Sequence, residues 1–399
     1  MAEVYLTIEP AQVSIRHRWR TQIMTTAGGA EQRSALYSWP RVALAAKYKM
    51  ATSSHVNWFK RNLVFSTDAI WGVPVWPDMT ALTAQAASGQ KTLAVAETAY
   101  RRFYAGRELI IIAAADPVTY EVCGIDTVAA QEITLSENLV ATWPAGSRVL
   151  PLYDCRIGAE QSVEMTRTQS LEIDAQEAFE EARSFAYTPP DSGAEEYEGL
   201  DIFSFYPQKP LALGYRRPYD IAQWQGLAYA QSRYATGENK MSFSADYVFP
   251  TRAEIASFWN FFDAHMGRLS AFWLPSHGRD IVPAAAVGAE ETRLTIEPIS
   301  YASTYFTNEL QGRHIYARLP GAAGVCRKIT GAGADYIDID SALGFAISAA
   351  QCARVLISFL YLARFDLDEA EMLYPHNRPD FGRAALSFSA LIGEELEEA

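Results

Sequence analysis

The stretch from Thr251 to Ser276 constrains the fold of this chain more than any other part of the sequence. Thr251 and Glu254 have the spacing of a capping box, which predicts the start of a helix. Gly267 supplies the left-handed residue that ends many helices. We therefore predict a helix over 251–266. Its buried face consists of apolar residues at helical spacing, namely Ile255, Phe258, Trp259 and Phe262.

A strand is predicted on each side of this helix. Residues 241–247 alternate between apolar and polar side chains before it. After it, alternation of Leu269, Ala271 and Trp273 is typical of a half-buried strand that stops at Pro275. The unit is thus strand, helix, strand.

The same unit occurs earlier in the chain. A helix is predicted over 52–65, followed by a strand over 70–77. The two copies lie roughly 200 residues apart, much farther than the repeat of a solenoid, and so indicate a duplicated domain. In the first helix the apolar face is formed by Val56, Phe59 and Leu63.

Short apolar segments separated by turn residues follow each unit, in the same order. Leu294 and Ile296 repeat Leu93 and Val95, and Ile329 repeats Ile125. This spacing predicts a small all-β barrel or sandwich inserted in each half. The endings also match, because 371–372 repeat 164–165 and 386–390 repeat 171–175.

The predicted fold is mainly β with short helices, an α+β chain of two sandwich-plus-helix modules, each carrying an inserted small β-barrel. The predicted ranges are 1–80 for the first module, 81–155 for its barrel, 156–186 for its closing strands, 187–214 for a linker, 215–283 for the second module, 284–365 for its barrel, and 366–399 for its closing strands and an acidic, frayed C-terminus.

Composition excludes several classes of function. The formal net charge is -13 and no block is rich in Lys and Arg, which argues against a protein that grips nucleic acid. No apolar run is long enough to span a membrane, and the N-terminus lacks the pattern of a signal peptide. The basic segment 16–20 is interpreted as a solvated strand face, with contact to an acidic neighbour as the alternative.

No catalytic, cofactor-binding or metal-binding residues are predicted. The four Cys form no CxxC, the six His form no HExxH, and no nucleophile elbow, Walker loop or dinucleotide fingerprint is present. His265 is interpreted as an ordinary polar helix position, and the other histidines have no spacing partner. We expect reduced, mostly buried thiols.

Two constellations could carry chemistry. Asp338 and Asp340 share a strand face and could suit a cation, although solvent-facing positions are the favoured interpretation. The other acid pairs are Asp366 with Asp368 and Glu180 with Glu181. Aromatic residues could stack on sugars, but their periodicity favours core or subunit packing for Trp58, Phe59, Trp71, Trp76, Phe258, Trp259, Phe272 and Trp273.

The repeated unit resembles the distal-tail and minor-tail proteins of long-tailed, siphovirus-like bacteriophages. In those proteins a helix with spaced aromatic residues and a terminal Gly precedes a strand that ends in an aromatic residue and Pro. The matching residues are Phe258, Phe262, Ala264, Gly267, Phe272 and Pro275. In the first copy the turn at 29–33 and Pro40–Arg41 are similar to the upstream part, but no Gly occupies the place of Gly267.

This resemblance implies a tail-tube-like fold and a structural virion protein, made in the host cytoplasm and placed in the baseplate at the tail tip. Its partners would be copies of itself in a ring, the tail tube protein, and the hub and tape-measure proteins. Three chains would give a pseudo-six-fold ring, and six would give a larger one. Genome DNA would meet the protein only by passage through the channel.

The sequence leaves two alternatives open. The inserted barrels could bind a host surface glycan through exposed tyrosines such as Tyr100, Tyr104, Tyr301 and Tyr305. The scattered acids could instead belong to an enzyme that degrades cell wall, although the favoured interpretation is that the protein is not an enzyme.

Overall fold

A computed structural model describes residues 4–5, 7–25, 30–50, 52–61, 70–114, 116, 118–157, 163–167, 170–180, 189–216, 219–224, 227–232, 240–306, 312–375, 378 and 380–391. Strands dominate these residues and the helices are short, so the predicted mainly-β class is confirmed.

In the first half the elements are β1 (Val4–Tyr5), β2 (Gln12–Arg18), β3 (Thr21–Thr25), β4 (Glu31–Ala35), β5 (Arg41–Met50), α1 (Ser53–Phe59), β6 (Trp71–Pro74), β7 (Thr80–Ala81), β8 (Thr92–Ala94), β9 (Glu108–Ile112), β10 (Tyr120–Ala129), β11 (Glu132–Leu135), β12 (Arg148–Ile157), β13 (Val163–Arg167) and β14 (Ser170–Glu180). A 3-10 turn, Trp76–Asp78, lies between β6 and β7.

In the second half they are β15 (Glu196–Tyr197), β16 (Leu200–Asp201), β17 (Ala212–Arg216), β18 (Tyr219–Trp224), β19 (Leu227–Ser232), β20 (Lys240–Phe249), α2 (Arg252–Ala264), β21 (Phe272–Pro275), β22 (Arg293–Thr295), β23 (His314–Arg318), β24 (Gly324–Ala332), β25 (Tyr336–Ile339), β26 (Leu356–Phe365), β27 (Glu369–Pro375) and β28 (Gly382–Ala390). A π-helical turn, Ala302–Phe306, precedes β23.

The strands of the two halves pair in one pattern. β5 pairs with β2 and β14 as β20 pairs with β17 and β28. β12 pairs with β6, β9 and β14 as β26 pairs with β21, β23 and β28. Even the parallel contact of β1 with β6 recurs, as a bridge between Ile202 and Trp273. Each half therefore has the same topology.

In each half one set of strands closes on itself. In the first, the order is β7–β8–β11–β10–β9–β12, and β12 returns to β7. The Leu82–Val95 bridge joins the first two strands. In the second, β22, β25, β24, β23 and β26 follow the same order, and the bridges Ile281–Ile357 and Pro283–Ile296 complete the circuit. Each closed set has its own apolar interior.

The ladders show which positions of the halves are equivalent. Ile125 pairs with Leu135 as Ile329 pairs with Ile339, in agreement with the sequence match. In the last strands the structural equivalence differs from the match of 386–390 with 171–175 that the sequence indicated. Ala46 faces Gln176 in the first half, and Ala245 faces Leu386 in the second. If the pre-helix strands are aligned on Thr52 and Thr251, Leu386 corresponds to Gln176 and not to Leu171.

Helix α2 lies within the largest apolar core of the described residues, which both halves share. Thr251 caps it, since its hydroxyl accepts from the Glu254 amide at 3.3 Å. Gly267 ends the turn after it with φ of +66°. The apolar face predicted from spacing is buried as expected. In the first copy α1 has the same cap, because the Thr52 hydroxyl accepts from the His55 amide. The predicted end of that helix, including Leu63, lies outside the described residues.

The predicted half-buried strand after α2 is wrong. The strand begins at Phe272 and all its residues are buried. Phe272 packs into the aromatic core on one face, with its ring 5.2 Å from that of Phe261. Trp273 packs on the other face against Tyr197 and His314. Alternation fails as a guide here because a strand covered on both faces needs no polar side.

Phe262→Ala tests the packing of α2. Phe262 is fully buried and its ring lies 5.0 Å from that of Phe365. Truncation leaves a cavity, so we expect the free energy of unfolding to fall by about 3–5 kcal/mol in urea denaturation. The control is Val140→Ala, at a position that is 83% exposed. Equal stability of the two variants would contradict the assigned packing.

Candidate functional site

The two modules are joined by a continuous ladder of main-chain hydrogen bonds. β2 of the first half pairs on one side with β5 and on the other side with β27 of the second half. The register places Arg16 opposite Glu371 and Arg18 opposite Glu369. β2 is therefore an interior strand of a sheet that spans both halves, and we call this contact the intermodule joint.

Charged pairs follow that register. Arg18 Nε donates to Glu369 at 2.6 Å, and Arg16 Nε lies 3.2 Å from Glu371. Arg18 and Arg20 are exposed, as a solvated strand face predicts, and Arg16 and Arg18 also make the contact with an acidic neighbour that was the alternative. These side chains are partly exposed, so they fix the register more than they add stability.

Helix α2 of the second module covers β2 of the first. His17 Nδ1 donates to Asp263 at 2.8 Å, and Trp19 Nε1 donates to the other carboxylate oxygen at 3.0 Å. The His17 ring stacks on Trp259, with centroids 4.0 Å apart. All four side chains are buried. One carboxylate therefore satisfies two buried donors from the other module.

The end of α2 meets the joint closely. A Cβ at Gly267 would lie 3.1 Å from Asp368 Cα and 3.3 Å from Trp19 Cβ. Asp368 accepts from the amides of Thr21 and Arg268, and its carbonyl accepts from the Trp19 amide. Gly267 is thus required both for its positive φ and for the space that it leaves between the modules.

Two buried ion pairs also cross the joint. Arg364 on β26 binds Glu31 on β4 through both ends of its guanidinium, at 2.7 and 2.9 Å. Their side chains are 2% and 3% exposed. Arg252 at the start of α2 bonds to Asp78 of the first module. Breaking either pair would leave a buried charge, which makes the relative position of the modules specific.

The second module repeats the joint strand without its partner. With Thr52 aligned on Thr251, Leu213 and Tyr215 on β17 take the places of Ile15 and His17 on β2. Ile15 is 0% and His17 6% exposed, whereas Leu213 is 60% and Tyr215 64% exposed. Among the described residues β17 pairs only with β20. Its outer edge is the counterpart of an edge that the first module has filled.

The first module also has a strand edge that is unfilled, on the side opposite the intermodule joint. β13 occupies the place of β27, and within the described part of the chain it pairs only with β14. Arg156 pairs with Phe179 as Arg364 pairs with Ser389, so these arginines are equivalent. Arg364 is buried and Arg156 is exposed. The chain thus carries one joint and two unlike edges that correspond to its two sides.

The structure does not gather the predicted acids into a site. Asp338 accepts from Arg293 at 2.6 and 2.9 Å, and this contact lowers the pKa of Asp338. Asp340 accepts from the amides of Lys328 and Ser341. Asp368 belongs to the joint, and Asp366 lies 3.9 Å from Arg364. The side chains of Glu180 and Glu181 lie outside the described residues.

Six of the eight aromatic residues considered for sugar stacking are buried in the core, as their periodicity predicted. The side chains of the other two, Trp58 and Phe59, lie outside the described residues. Of the tyrosines suggested for glycan binding, Tyr100 is 62% and Tyr104 48% exposed, but Tyr301 is buried. The Tyr301 hydroxyl donates to the Gly312 carbonyl. Tyr301 is therefore wrong as an exposed contact residue.

The interpretation of His265 as an ordinary polar position is also wrong. It is 5% exposed, and its Nδ1 donates to the Phe261 carbonyl at 2.8 Å. Burial lowers its pKa, against the opposing effects of that hydrogen bond and Asp201. Burial likewise lowers the pKa of His277 and of His314 to about 4.

The described residues contain no group of three or more His, Cys, Asp or Glu side chains that could hold a metal ion. All four cysteines are free, and burial raises the pKa of Cys123 and Cys326 to about 12. No helix in the described ranges is long and apolar enough to cross a membrane.

No family model matches the chain, and no curated protein matches it. Among solved structures it is similar to the N-terminal CBM22-1–CBM22-2 tandem domain of Paenibacillus barcinonensis Xyn10C, at 7% identity over 96% of this chain and 88% of that chain. The TM-score of this match is 0.09, so it indicates neither a shared fold nor a shared function.

Asp263→Ala tests the contact of α2 with the first module. The substitution leaves the buried donors of His17 and Trp19 without their acceptor, so we expect the free energy of unfolding to fall by about 3 kcal/mol. Urea denaturation measures this. Asp246→Ala, at an exposed position on β20, is the control. A loss no greater than that of the control would contradict the buried role of Asp263.

The buried His277 makes stability depend on pH. The folded protein holds this ring neutral, while the unfolded chain binds a proton below the ordinary pKa of 6.5. Stability contributed by the neutral ring is present above pH 6.5 and is lost as pH falls toward about 4. Asparagine tolerates the φ of +53° at this position. Between pH 6.5 and pH 4 we expect the free energy of unfolding of His277→Asn to fall by up to about 3 kcal/mol less than that of the natural protein. Parallel stability curves for the two proteins would contradict this.

Proposed function

We propose that this protein is a structural ring subunit of a phage tail tip, joining the tail tube to the hub or receptor-binding apparatus. The observation that carries the proposal is the intermodule joint. Within one chain, two copies of the same module already associate through strand pairing, a covering helix and buried ion pairs. A ring arises when copies of the chain repeat that contact.

The exposed counterparts specify how the contact would repeat. β17 of one chain would pair with β13 of the next, as β2 pairs with β27 within the chain. Helix α1 of the neighbour would then cover Leu213 and Tyr215, which are exposed in the single chain. Arg156 would be buried by the neighbour's β18–β19 hairpin, as Arg364 is buried against Glu31 of the β3–β4 hairpin.

The two edges are unlike, so the contact is head-to-tail and generates a ring if the rotation closes. Three chains would contribute six modules, which fits a six-fold tail tube. Six chains would form the larger ring. The tail is proposed as the location because the helix–Gly–strand unit resembles that of phage distal-tail proteins. Within this unit, Gly267 leaves the space in which Trp19 of the first module approaches the end of α2.

The glycan and enzyme alternatives have weaker support. Asp338 and Asp340 are engaged by Arg293 and by backbone amides. Of the suggested tyrosines, Tyr100 and Tyr104 are the exposed pair, and they line a cavity between α2 and the first module. Neither observation defines a catalytic arrangement.

The joint can be tested with a double variant, Leu213→Asp with Tyr215→Asp. Both side chains are exposed in the single chain, so the fold should tolerate the change, but charges at these positions would oppose burial at a joint between chains. We expect the natural protein to have three or six times the chain mass of 44.2 kDa in mass photometry. The variant should have the mass of one chain and should still unfold in one cooperative transition, at a temperature lowered only by the loss of assembly.

Val140→Asp is the control, since it replaces an apolar side chain by a carboxylate at an exposed position on the first barrel. It should assemble like the natural protein. A natural protein that stays monomeric at high concentration would overturn the ring. A double variant that assembles normally would show that β17 is not the interface.

A further inference from the structure

Where α2 meets the first module, a cavity of about 610 Å³ opens to solvent. Its wall combines the second module's helix, the 3-10 turn before β7 and the loop between β8 and β9. This volume is within the usual range of small-molecule sites. The polar residues that line it and matter here are His17, Asp78, Arg101, Arg102, Arg252 and Asp263.

Among the buried side chains of this wall, arginines outnumber carboxylates. Asp263 is occupied by His17 and Trp19. Asp78 is then the one remaining buried carboxylate among the described lining residues. It bonds to Arg252, accepts from the Arg102 amide and lies 3.9 Å from the Arg102 guanidinium. The other acids near Arg101 are Glu97 and Asp380, both more than half exposed. Burial, together with the nearby Arg252, lowers the pKa of Arg101.

Several donors in the cavity wall lack acceptors. Arg101 has a side chain that is 8% exposed, and its Nε and Nη1 atoms have no hydrogen-bond partner among the described residues. The same holds for Arg102 Nη1. Leaving buried charged donors unsatisfied is costly. Arginine forks match the planar and tetrahedral oxyanions of carboxylate and phosphate groups.

The mouth of the cavity is aromatic. Tyr100 and Tyr104 border it and are 62% and 48% exposed. Tyr100 has a φ of +57°, an uncommon backbone conformation for tyrosine. The two rings offer flat apolar surfaces beside the arginines, suited to the ring of a sugar or a similar organic group.

We propose that this cavity binds a small organic oxyanion, with its phosphate or carboxylate group at Arg101 and Arg102 and its ring against Tyr100 and Tyr104. The ligand class is therefore a phosphorylated or carboxylated sugar-sized molecule. The site lies within one chain, so it does not depend on ring assembly.

Isothermal titration of the full-length protein at low salt tests the site with four probes: inorganic phosphate, glucose 6-phosphate, glucuronate and glucose. At least one oxyanion probe should bind once per chain with a Kd below about 1 mM, whereas glucose should not bind. The phosphate and glucuronate titrations distinguish the two oxyanions. Failure of all three oxyanion probes to bind the natural protein would overturn the proposal.

Arg101→Gln should weaken binding about tenfold or more, because it removes charge-assisted hydrogen bonds. Arg293→Gln is the matched control, since Arg293 pairs with Asp338 on the second barrel, and it should bind like the natural protein. Equal binding by these two variants would refute the site.

Tyr100→Ala provides a second test that spares the buried ion pairs. It should weaken binding of the oxyanion probe that carries a ring and leave inorganic phosphate binding unchanged. Unchanged binding of the ring-bearing probe would contradict the role of the tyrosines. Melting curves of each variant establish that the fold is retained.

Discussion

The structure depends on one interaction, the hydrogen-bonded ladder between β2 and β27. A lone module would expose the polar backbone along these strands, and an exposed strand edge is an open template for pairing with another chain. Pairing β2 with β27 removes that edge and extends one sheet through both halves. The apolar core then becomes common to the two modules, because α2 can pack over strands from both.

Specificity at the joint comes from side chains that match the ladder. A shift of one residue would turn His17 and Ile15 to the other face and separate Arg16 from Glu371. The buried Glu31–Arg364 pair adds a long-range constraint, because an unpaired charge at either position would be expensive. The backbone supplies the attraction, and the buried polar groups determine which alignment is tolerated.

The sequence predicted those elements of the fold that are determined by neighbouring residues in the chain. Thr251, Glu254 and the aromatic spacing define α2 within a few residues, so its existence and its buried face could be predicted. The joint could not, because Arg16 and Glu371 lie far apart in the chain and nothing local distinguishes a charged pair across strands from a solvated face. For the same reason the burial of His265 could not be predicted, since Asp201 and Phe272 approach it only in the folded protein. The cavity had one weak signal, the adjacent Arg101 and Arg102 between aromatic residues in an acidic chain.

Duplication within one chain restricts how copies can assemble. If β17 and β13 repeat the intermodule joint, the surfaces that meet are different. A dimer that paired one of these surfaces with itself would leave the other exposed, whereas a closed head-to-tail ring satisfies both. Every chain then adds two modules, and a closed ring contains an even number of them. Half of the contacts in such a ring are already formed inside the chains, where association carries no loss of translational freedom. The remaining contacts alone would have to form between chains, which is a physical reason for placing both modules on one polypeptide.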